Sequence, residues 1–149
     1  MLAWRVTKVK YEPFDGSGAQ RVGGRWNSPG RPVIYAADSF AGALLEILAH
    51  AVRPRTLPGA HHAVRIEVPD DLVELVDPER VPRWFEPESG AAREWGDSWL
   101  TEARSVALSV PSLASRPVGR VVLINPRHPE LGQVSRGRRF RVPWDERLL

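Results

Sequence analysis

The chain has 149 residues, of which 42% are hydrophobic and 26% charged, and its formal net charge is +3. Domains typically have about 100–150 residues, so this length predicts one domain over residues 1–149 and excludes two large domains. The absence of cysteine excludes disulfide bonds, thiolate metal sites and a cysteine nucleophile. The modest positive charge suits an anionic ligand or an acidic partner without naming either.

Hydrophobic runs in the sequence are short. The first ten residues interleave basic with apolar side chains and contain no apolar run of signal-peptide length. No later segment reaches the roughly 18–20 apolar residues of a transmembrane helix. We therefore expect a cytoplasmic protein with no membrane partner.

The first half of the chain predicts a loop, a strand and a helix. Residues 11–32 are rich in glycine and polar residues, and residues 32–36 predict a short buried strand. A helix should follow, with Asp38 or Ser39 as its cap, before Pro54 ends the pattern. Its apolar stripe comprises Phe40, Leu44, Ile47, Leu48 and Ala51.

The second half of the chain predicts mainly strands. Alternating side chains at residues 63–68 and 72–76 indicate two strands, which we expect to pair across the turn between them. Residues 95–102 predict a short helix, and residues 105–110 and 120–124 predict two further strands, each stopped by a proline. Together these elements predict an α+β fold, a single mixed domain in which strands predominate.

Several well-known catalytic and cofactor motifs are missing. Gly16 and Gly18 are followed by Arg21 where G-x-G-x-x-G requires its third glycine, and no strand is expected before them. The sequence has no P-loop, no G-x-S-x-G and no H-E-x-x-H. His61 and His62 are adjacent, without an identifiable third metal ligand. These observations argue against a dinucleotide-binding loop, a serine hydrolase and a zinc peptidase.

Glu46 is the only charged side chain between Ser39 and Val52. In a helix it lies about 150° from the centre of the apolar stripe, because successive residues rotate by about 100°. Its own face carries Gly42, Ala43, Ala49 and His50. Small neighbours would let another group approach the helix closely around this carboxylate. The alternative is a surface pair of Glu46 with His50 four residues later, and the residues alone leave both interpretations open.

The segment Gly23-Gly24-Arg25-Trp26-Asn27 places a guanidinium on flexible backbone just before the predicted strand. The planar fork of Arg25 suits bidentate binding of phosphate. The alternative is an ordinary turn with an exposed arginine and a core tryptophan. Tyr35, one strand further on, is the kind of residue usually found in a core with its hydroxyl hydrogen-bonded.

A basic run with one aromatic residue covers residues 136–141. Such a run is found in nucleic-acid-binding patches and, more often, in a solvated edge strand. A net charge of +3 is a weak electrostatic footprint for nucleic acid. We therefore expect no direct nucleic-acid partner, and a non-enzymatic module that binds nucleic acid or an acidic protein stays as the alternative.

Taken together, a series of ordered motifs resembles the RES-domain family over nearly the whole chain. The motifs are Trp4-Arg5, Gly23-Gly24-Arg25-Trp26-Asn27, Pro32-Val33-Ile34-Tyr35, the stretch from Ala43 to His50 around Glu46, Gly96-Asp97-Ser98-Trp99-Leu100, Val110-Pro111-Ser112, Asn125-Pro126-Arg127-His128-Pro129 and the closing stretch from Phe140 to Leu148. The family takes its name from an arginine, a glutamate and a serine. Residues 113–119 depart from the family's pattern.

The resemblance implies site residues and an activity. The family's arginine falls on Arg25, its glutamate on Glu46, its serine on Ser112 and its active-site tyrosine on Tyr35. RES proteins are toxins of type II toxin–antitoxin pairs that degrade NAD by phosphorolysis or hydrolysis, and some relatives ADP-ribosylate a protein. Their fold is similar to that of ADP-ribosyltransferase toxins. The expected partner is an Xre-like antitoxin that covers the active site in a hetero-oligomer.

These residue types suit cleavage of the nicotinamide–ribose bond. Glu46 would stabilise the oxocarbenium-like centre and hold a ribose hydroxyl, and Arg25 would grip the diphosphate. The ring of Tyr35 would pack on the cationic nicotinamide. Ser112 would hydrogen-bond the substrate or Glu46, since no base that could make it a nucleophile is identifiable. We expect no cofactor and no metal, with NAD as substrate and inorganic phosphate as the potential co-substrate.

Overall fold

The structure, a computed structural model, describes residues 1–51 and 55–148. Eight strands and three α-helices make up the described chain, which confirms the predicted mixed α+β class with strands predominating. The strands are β1 (Leu2–Lys8), β2 (Ile34–Ala37), β3 (His61–Glu67), β4 (Val73–Leu75), β5 (Ala107–Pro111), β6 (Arg120–Ile124), β7 (Ser135–Arg136) and β8 (Phe140–Arg141). The helices are α1 (Ser17–Val22), α2 (Phe40–Ala49) and α3 (Gly90–Glu102).

All eight strands belong to one sheet with the order β4-β5-β6-β2-β1-β3-β7, and β8 also pairs with β3. In a flat sheet β3 and β4 would lie about 24 Å apart, because neighbouring strands are about 4.8 Å apart. The residues that join Glu67 to Val73 can span at most about 21 Å, and a turn of 3-10 helix over Asp70–Leu72 shortens that span. The sheet must therefore curl, which gives it one concave side.

The expectation that the strands at 63–68 and 72–76 pair is wrong. β3 is antiparallel to β1 along seven residue pairs, and β4 is parallel to β5. Alternation of side chains shows which faces of a strand are buried, but it does not select the strand's partner. The short β4 instead joins the far end of the sheet, where β5 offers a free edge.

The predicted helix after β2 is confirmed as α2. The Ser39 hydroxyl accepts a hydrogen bond from the backbone N–H of Gly42 (2.9 Å), so Ser39 is the cap. Gly42 and Ala43 are the buried residues of the helix, and a Cβ added to Gly42 would lie 3.6 Å from that of Ala37. The helix thus approaches β2 through its small residues. Pro54, expected to end the pattern, lies outside the described residues.

Sequence analysis does not identify β1 or α1 and begins the third helix five residues late. β1 carries basic residues between its apolar ones, which disguised its alternation. α1 has no buried residue and therefore no apolar stripe to reveal it. α3 begins at Gly90 because the Ser89 hydroxyl caps it by accepting from the N–H of Ala92. No helix within the described ranges is long and apolar enough to cross a membrane.

Candidate active site

Glu46 and Ser112 meet at one end of the sheet. Ser112 is the residue after β5, and its hydroxyl donates a hydrogen bond of 2.8 Å to Oε1 of Glu46 on α2. Ser112 is 2% exposed, whereas the Glu46 side chain is 29% exposed. The bond fixes one carboxylate oxygen from the protein side and leaves part of the carboxylate open to solvent or a ligand.

Ser112 also shapes the loop that follows β5. Its hydroxyl oxygen accepts from the N–H of Ser115 (3.1 Å), and its own N–H donates to the carbonyl of Gly119 (3.0 Å). The Ser112 hydroxyl therefore donates its proton to the carboxylate of Glu46 and accepts with its oxygen from the backbone amide of Ser115. No imidazole or amine base contacts this hydroxyl among residues 1–51 and 55–148. Such an environment suits a positioning residue better than a nucleophile.

The second oxygen of Glu46 faces His50, the alternative partner considered from the sequence. Oε2 of Glu46 lies 3.9 Å from Nε2 of His50, whose side chain is 82% exposed. This separation is too long for a hydrogen bond, and an exposed pair of this kind contributes little to stability. The shorter contact of Glu46 is the one to Ser112, sixty-six residues further along the chain.

The segment around Arg25 forms a tight turn locked by Tyr35 and Asn27. The N–H of Gly24 donates to the carbonyl of Asn27 (3.0 Å), which closes the turn. The Tyr35 hydroxyl donates to Oδ1 of Asn27 (2.6 Å) and accepts from the N–H of Trp26 (3.2 Å). A Cβ on Gly24 would overlap that hydroxyl, so only glycine fits there.

Asn27 is a structural residue whose role sequence analysis missed. It is 0% exposed, and its Nδ2 donates to the backbone carbonyls of Ala19, Ser28 and Arg31. One amide group thus holds α1, the turn and the start of the next segment together. An asparagine near two glycines is an ordinary turn signal, so the sequence does not show that this amide bridges backbone carbonyls up to eight residues away.

Arg25 is held from one side by the loop that precedes α3. Its Nη1 donates to the carbonyls of Trp84 (2.9 Å) and Glu86. Its Nε and Nη2 make no hydrogen bond within the described residues. Trp26, beside it, is 2% exposed. The turn buries Trp26, as expected for an ordinary turn. Arg25, however, is held in one orientation, and its Nε and Nη2 can still donate to a ligand.

Strand register places Tyr35 and Ser112 on the same side of the sheet. Val121 of β6 pairs with both Ala37 of β2 and Val110 of β5. Residues two apart on a strand share a face, so Tyr35 lies on the face of Ala37, and Ser112 on the face of Val110. The ring of Tyr35 is partly exposed on this side. Burial raises the pKa of its hydroxyl well above the ordinary value, so that hydroxyl stays protonated.

We expect Tyr35→Phe to lower the free energy of unfolding by about 1–3 kcal/mol, because the N–H of Trp26 and Oδ1 of Asn27 would each lose a buried partner. Urea unfolding measures this loss. Tyr11→Phe is the matched control, since Tyr11 is 46% exposed. Equal stabilities of the two variants would contradict the locking role of Tyr35.

α3 packs closely against the turn at residues 23–28. Gly96 touches the backbone of Trp26 so closely that an added Cβ would overlap the Trp26 carbonyl oxygen. One residue on, the Asp97 carboxylate accepts from the N–H of Ser28 (2.9 Å) and from its hydroxyl. The motif at residues 96–100 thus contacts the turn at residues 23–28 directly.

The basic run at residues 136–141 and the pair His61–His62 make contacts with other residues than Glu46, Ser112 and Arg25. Arg136 in β7 and Arg139 both lie beside Glu12, at 3.8 and 3.1 Å, as expected for a solvated sheet edge. His61 Nδ1 and His62 Nε2 each lie within hydrogen-bond distance of a backbone carbonyl. Within the described parts of the chain, no group of three side chains is arranged to hold a metal ion.

Comparison with known proteins supplies the family context. Residues 2–145 match the family described as the RES domain. The chain is 39% identical over 132 residues to "Toxin Res" of Pseudomonas putida, covering 87% of this chain and 88% of that protein. It is 34% identical over 155 residues to the "Prs ADP-ribosylating toxin" of Sphingobium sp., covering 98% and 95%.

A mycobacterial protein is similar over a shorter stretch and in structure. The "NAD(+) phosphorylase MbcT" of Mycobacterium tuberculosis is 32% identical over 83 residues, which cover 51% of this chain and 45% of that protein. A crystal structure of the M. tuberculosis MbcT–MbcA toxin–antitoxin complex contains a chain that superposes with a TM-score of 0.71 at 22% identity, covering 95% of this chain and 83% of that one. This likeness shows that the two chains share a fold.

Proposed function

Because the chain belongs to the RES domain family, we propose that it is an NAD-degrading toxin of a toxin–antitoxin pair that cleaves the bond between nicotinamide and ribose. The observation that carries the proposal is the contact between Glu46 and Ser112. It fixes a partly open carboxylate on the side of the sheet that also presents the Tyr35 ring and, through the turn that Tyr35 locks, Arg25.

Glu46 would supply the electrostatic part of the reaction. As the C1′–N bond breaks, its electron pair goes to the nicotinamide nitrogen, which becomes neutral, and positive charge develops on the ribose. A fixed carboxylate stabilises that charge where it forms. Nicotinamide leaves without needing a proton, so a single carboxylate suffices and no general acid is required.

Ser112 would act through Glu46. Its hydrogen bond holds one carboxylate oxygen, so the carboxylate does not have to reorganise when charge develops. The other oxygen stays free to accept a bond from a ribose hydroxyl. Arg25 would bind the diphosphate with the donors that the carbonyls of Trp84 and Glu86 leave unused. The partly exposed ring of Tyr35 would stack on the cationic nicotinamide.

We expect Arg25→Lys to raise the KM for NAD by about tenfold while kcat changes little. Lysine keeps the charge, but an ammonium that donates to the two carbonyls has one N–H left for a phosphate, whereas the guanidinium still has Nε and Nη2 in a planar fork. Steady-state kinetics of nicotinamide release measures the effect. Arg21→Lys is a suitable control, because Arg21 is exposed at the end of α1. An unchanged KM would refute this role of Arg25.

Any one of three groups could accept the ADP-ribose and complete the reaction. Phosphate is favoured by the similarity to the NAD(+) phosphorylase MbcT, and a protein side chain by the similarity to the Prs ADP-ribosylating toxin. Water would make the enzyme a glycohydrolase. A phosphate oxygen that is already anionic bonds to C1′ without losing a proton, whereas water or a neutral side chain loses one as it bonds, and in all three cases the carboxylate of Glu46 would stabilise the same positive charge on the ribose.

The partner we propose is an antitoxin of the Xre-like kind expected from the family resemblance, in a hetero-oligomer that covers the active site. The similarity of the fold to a chain of the MbcT–MbcA toxin–antitoxin complex supports such a partner. NAD is then a substrate, and no separate cofactor is needed. The cytoplasmic location expected from the sequence belongs to the same proposal, because the cell's own NAD would be the target.

The test is to incubate the purified chain with NAD, with and without inorganic phosphate, and to follow the products by NMR. Release of nicotinamide that requires phosphate and yields a phosphorylated ADP-ribose would establish a phosphorylase. Release without phosphate would indicate a glycohydrolase. No release by folded, antitoxin-free protein would refute NAD degradation and leave the transfer to a protein, or the binding module, to be tested.

A further inference from the structure

Arg93, in the first half of α3, carries a guanidinium without a partner. Its Nε is fully buried and has no hydrogen-bond partner. Its side chain forms no hydrogen bond or ion pair with any residue in 1–51 or 55–148. Buried polar atoms in folded proteins almost always have a partner, and burying an N–H without one costs free energy. A ligand that brings negative charge would supply what this side chain lacks.

The position of Arg93 on α3 directs it to the turn of Arg25. Arg93, Gly96 and Asp97 are separated by three and four residues, so they share one face of the helix. That face lies against the turn, since Gly96 touches the backbone of Trp26 and Asp97 binds Ser28.

Arg93 lies one helical turn before Gly96 and Asp97, towards the beginning of α3. The loop just before the helix provides the two carbonyls that hold Arg25, from Trp84 and Glu86. Arg25 and Arg93 therefore both belong to the region where the turn meets α3 and the loop before it.

The electrostatics of Tyr35 agree with this placement. Burial is the main cause that raises the pKa of its hydroxyl, while the positive charges of Arg25 and Arg93 both lower it. Both arginines thus lie close enough to act on the same hydroxyl. The negative charge of Asp97 raises the same pKa; this carboxylate accepts from Ser28 and lies 3.6 Å from Arg31, so its ion pair is with Arg31 and not with Arg25 or Arg93.

We propose that Arg93 is a second diphosphate-binding residue, which works with Arg25 to hold the two phosphates of the substrate. This inference rests on the proposed function and extends it. A diphosphate carries two negative charges, and the Nη1 of Arg25 already donates to two backbone carbonyls. A second fork supplies both the missing charge and additional donors. Specificity follows, because a ligand without phosphates would leave the buried Nε unpaired.

The experiment measures binding of ADP and of adenosine by calorimetry, which needs no turnover. For Arg93→Gln we expect ADP to bind about ten- to a hundredfold more weakly than to the wild type, because a charge-assisted hydrogen bond is lost. Adenosine should bind both proteins equally. Arg138→Gln is the matched control, since it removes the same charge from an exposed arginine with no ion pair among the described residues. The melting temperature of Arg93→Gln should not fall below that of the wild type, as no hydrogen bond or ion pair among the described residues is broken.

The outcomes separate this inference from the proposed function. Equal ADP affinity of Arg93→Gln and wild type, or no ADP binding by the wild type, would overturn the role of Arg93. A lower melting temperature with equal losses for ADP and adenosine would also overturn it, in favour of a structural role. Loss of ADP binding in Arg93→Gln, together with a wild type that releases no nicotinamide, would keep this inference and reject NAD cleavage. If Arg93→Gln does not fold, Arg93→Lys replaces it, and we expect Arg93→Lys to bind ADP more weakly than the wild type does.

Discussion

Replacing Glu46 by Gln should reduce the rate of nicotinamide release from NAD by about 10²–10³-fold, as expected when a fixed electrostatic group is lost from a reaction centre. Glutamine keeps the shape of the side chain, and its amide oxygen can still accept the hydrogen bond from Ser112. Only the negative charge beside the developing oxocarbenium centre disappears. The fold should therefore survive while the chemistry fails, and kcat should fall more than KM rises.

The comparison variant for this experiment is Glu94→Gln. Glu94 is an exposed glutamate on α3, so its replacement removes the same charge from another helix surface. We expect Glu94→Gln to keep the wild-type rate and both variants to keep the wild-type melting temperature within about 1 °C. A Glu46→Gln protein as fast as wild type would show that this carboxylate has no part in the reaction.

Gly96→Ala should lower the free energy of unfolding by about 2 kcal/mol. Alanine is favoured over glycine inside a helix by about 1 kcal/mol, but the added Cβ would overlap the Trp26 carbonyl oxygen. Backbone cannot rotate out of the way as a side chain can, so α3 must move, and overpacking of this kind costs about 3 kcal/mol. The clash outweighs the helix propensity.

Thermal unfolding would show this loss as a decrease in melting temperature of about 4–8 °C, the range expected for a chain of this length. Gly90→Ala, on the same helix, is the control, because a Cβ there meets nothing within 4 Å. It should be neutral or stabilising. If Gly96→Ala melted at the same temperature as Gly90→Ala, the close approach of α3 to the turn would be refuted. The displaced turn should also weaken NAD binding through Arg25.

Local signals in the sequence were enough for the elements in which pattern and burial coincide. Residues 120–124 were predicted as a strand and form β6 with the same bounds, because each of its neighbours is a breaker or a turn. α2 was predicted from its 3.6-residue period with either Asp38 or Ser39 as its cap, and the structure selects Ser39. β1 escaped prediction because Arg5 and Lys8 interrupt its apolar pattern, although Arg5 is partly buried and donates to the carbonyl of Tyr35 (2.8 Å).

The candidate site was predicted as a set of residues but not as an arrangement. The family resemblance selected Arg25, Tyr35, Glu46 and Ser112, and their roles stay predictions until variants are assayed. The structure adds that Ser112 touches Glu46. It also shows that Tyr35 supports the turn that presents Arg25. Neither contact has a local signature, since the residues of the first pair are sixty-six positions apart.

The sequence by itself determined the fold class, the capped helix that carries Glu46 and the family to which the chain belongs. These depend on side chains within a few positions of each other, or on the order of motifs. The tertiary structure alone decided that β4 pairs with β5 and not with β3, that Glu46 meets Ser112, and that α3 packs against the turn of Arg25. Such contacts depend on how the curled sheet brings distant segments together, and alternation or helical period does not encode a strand's partner.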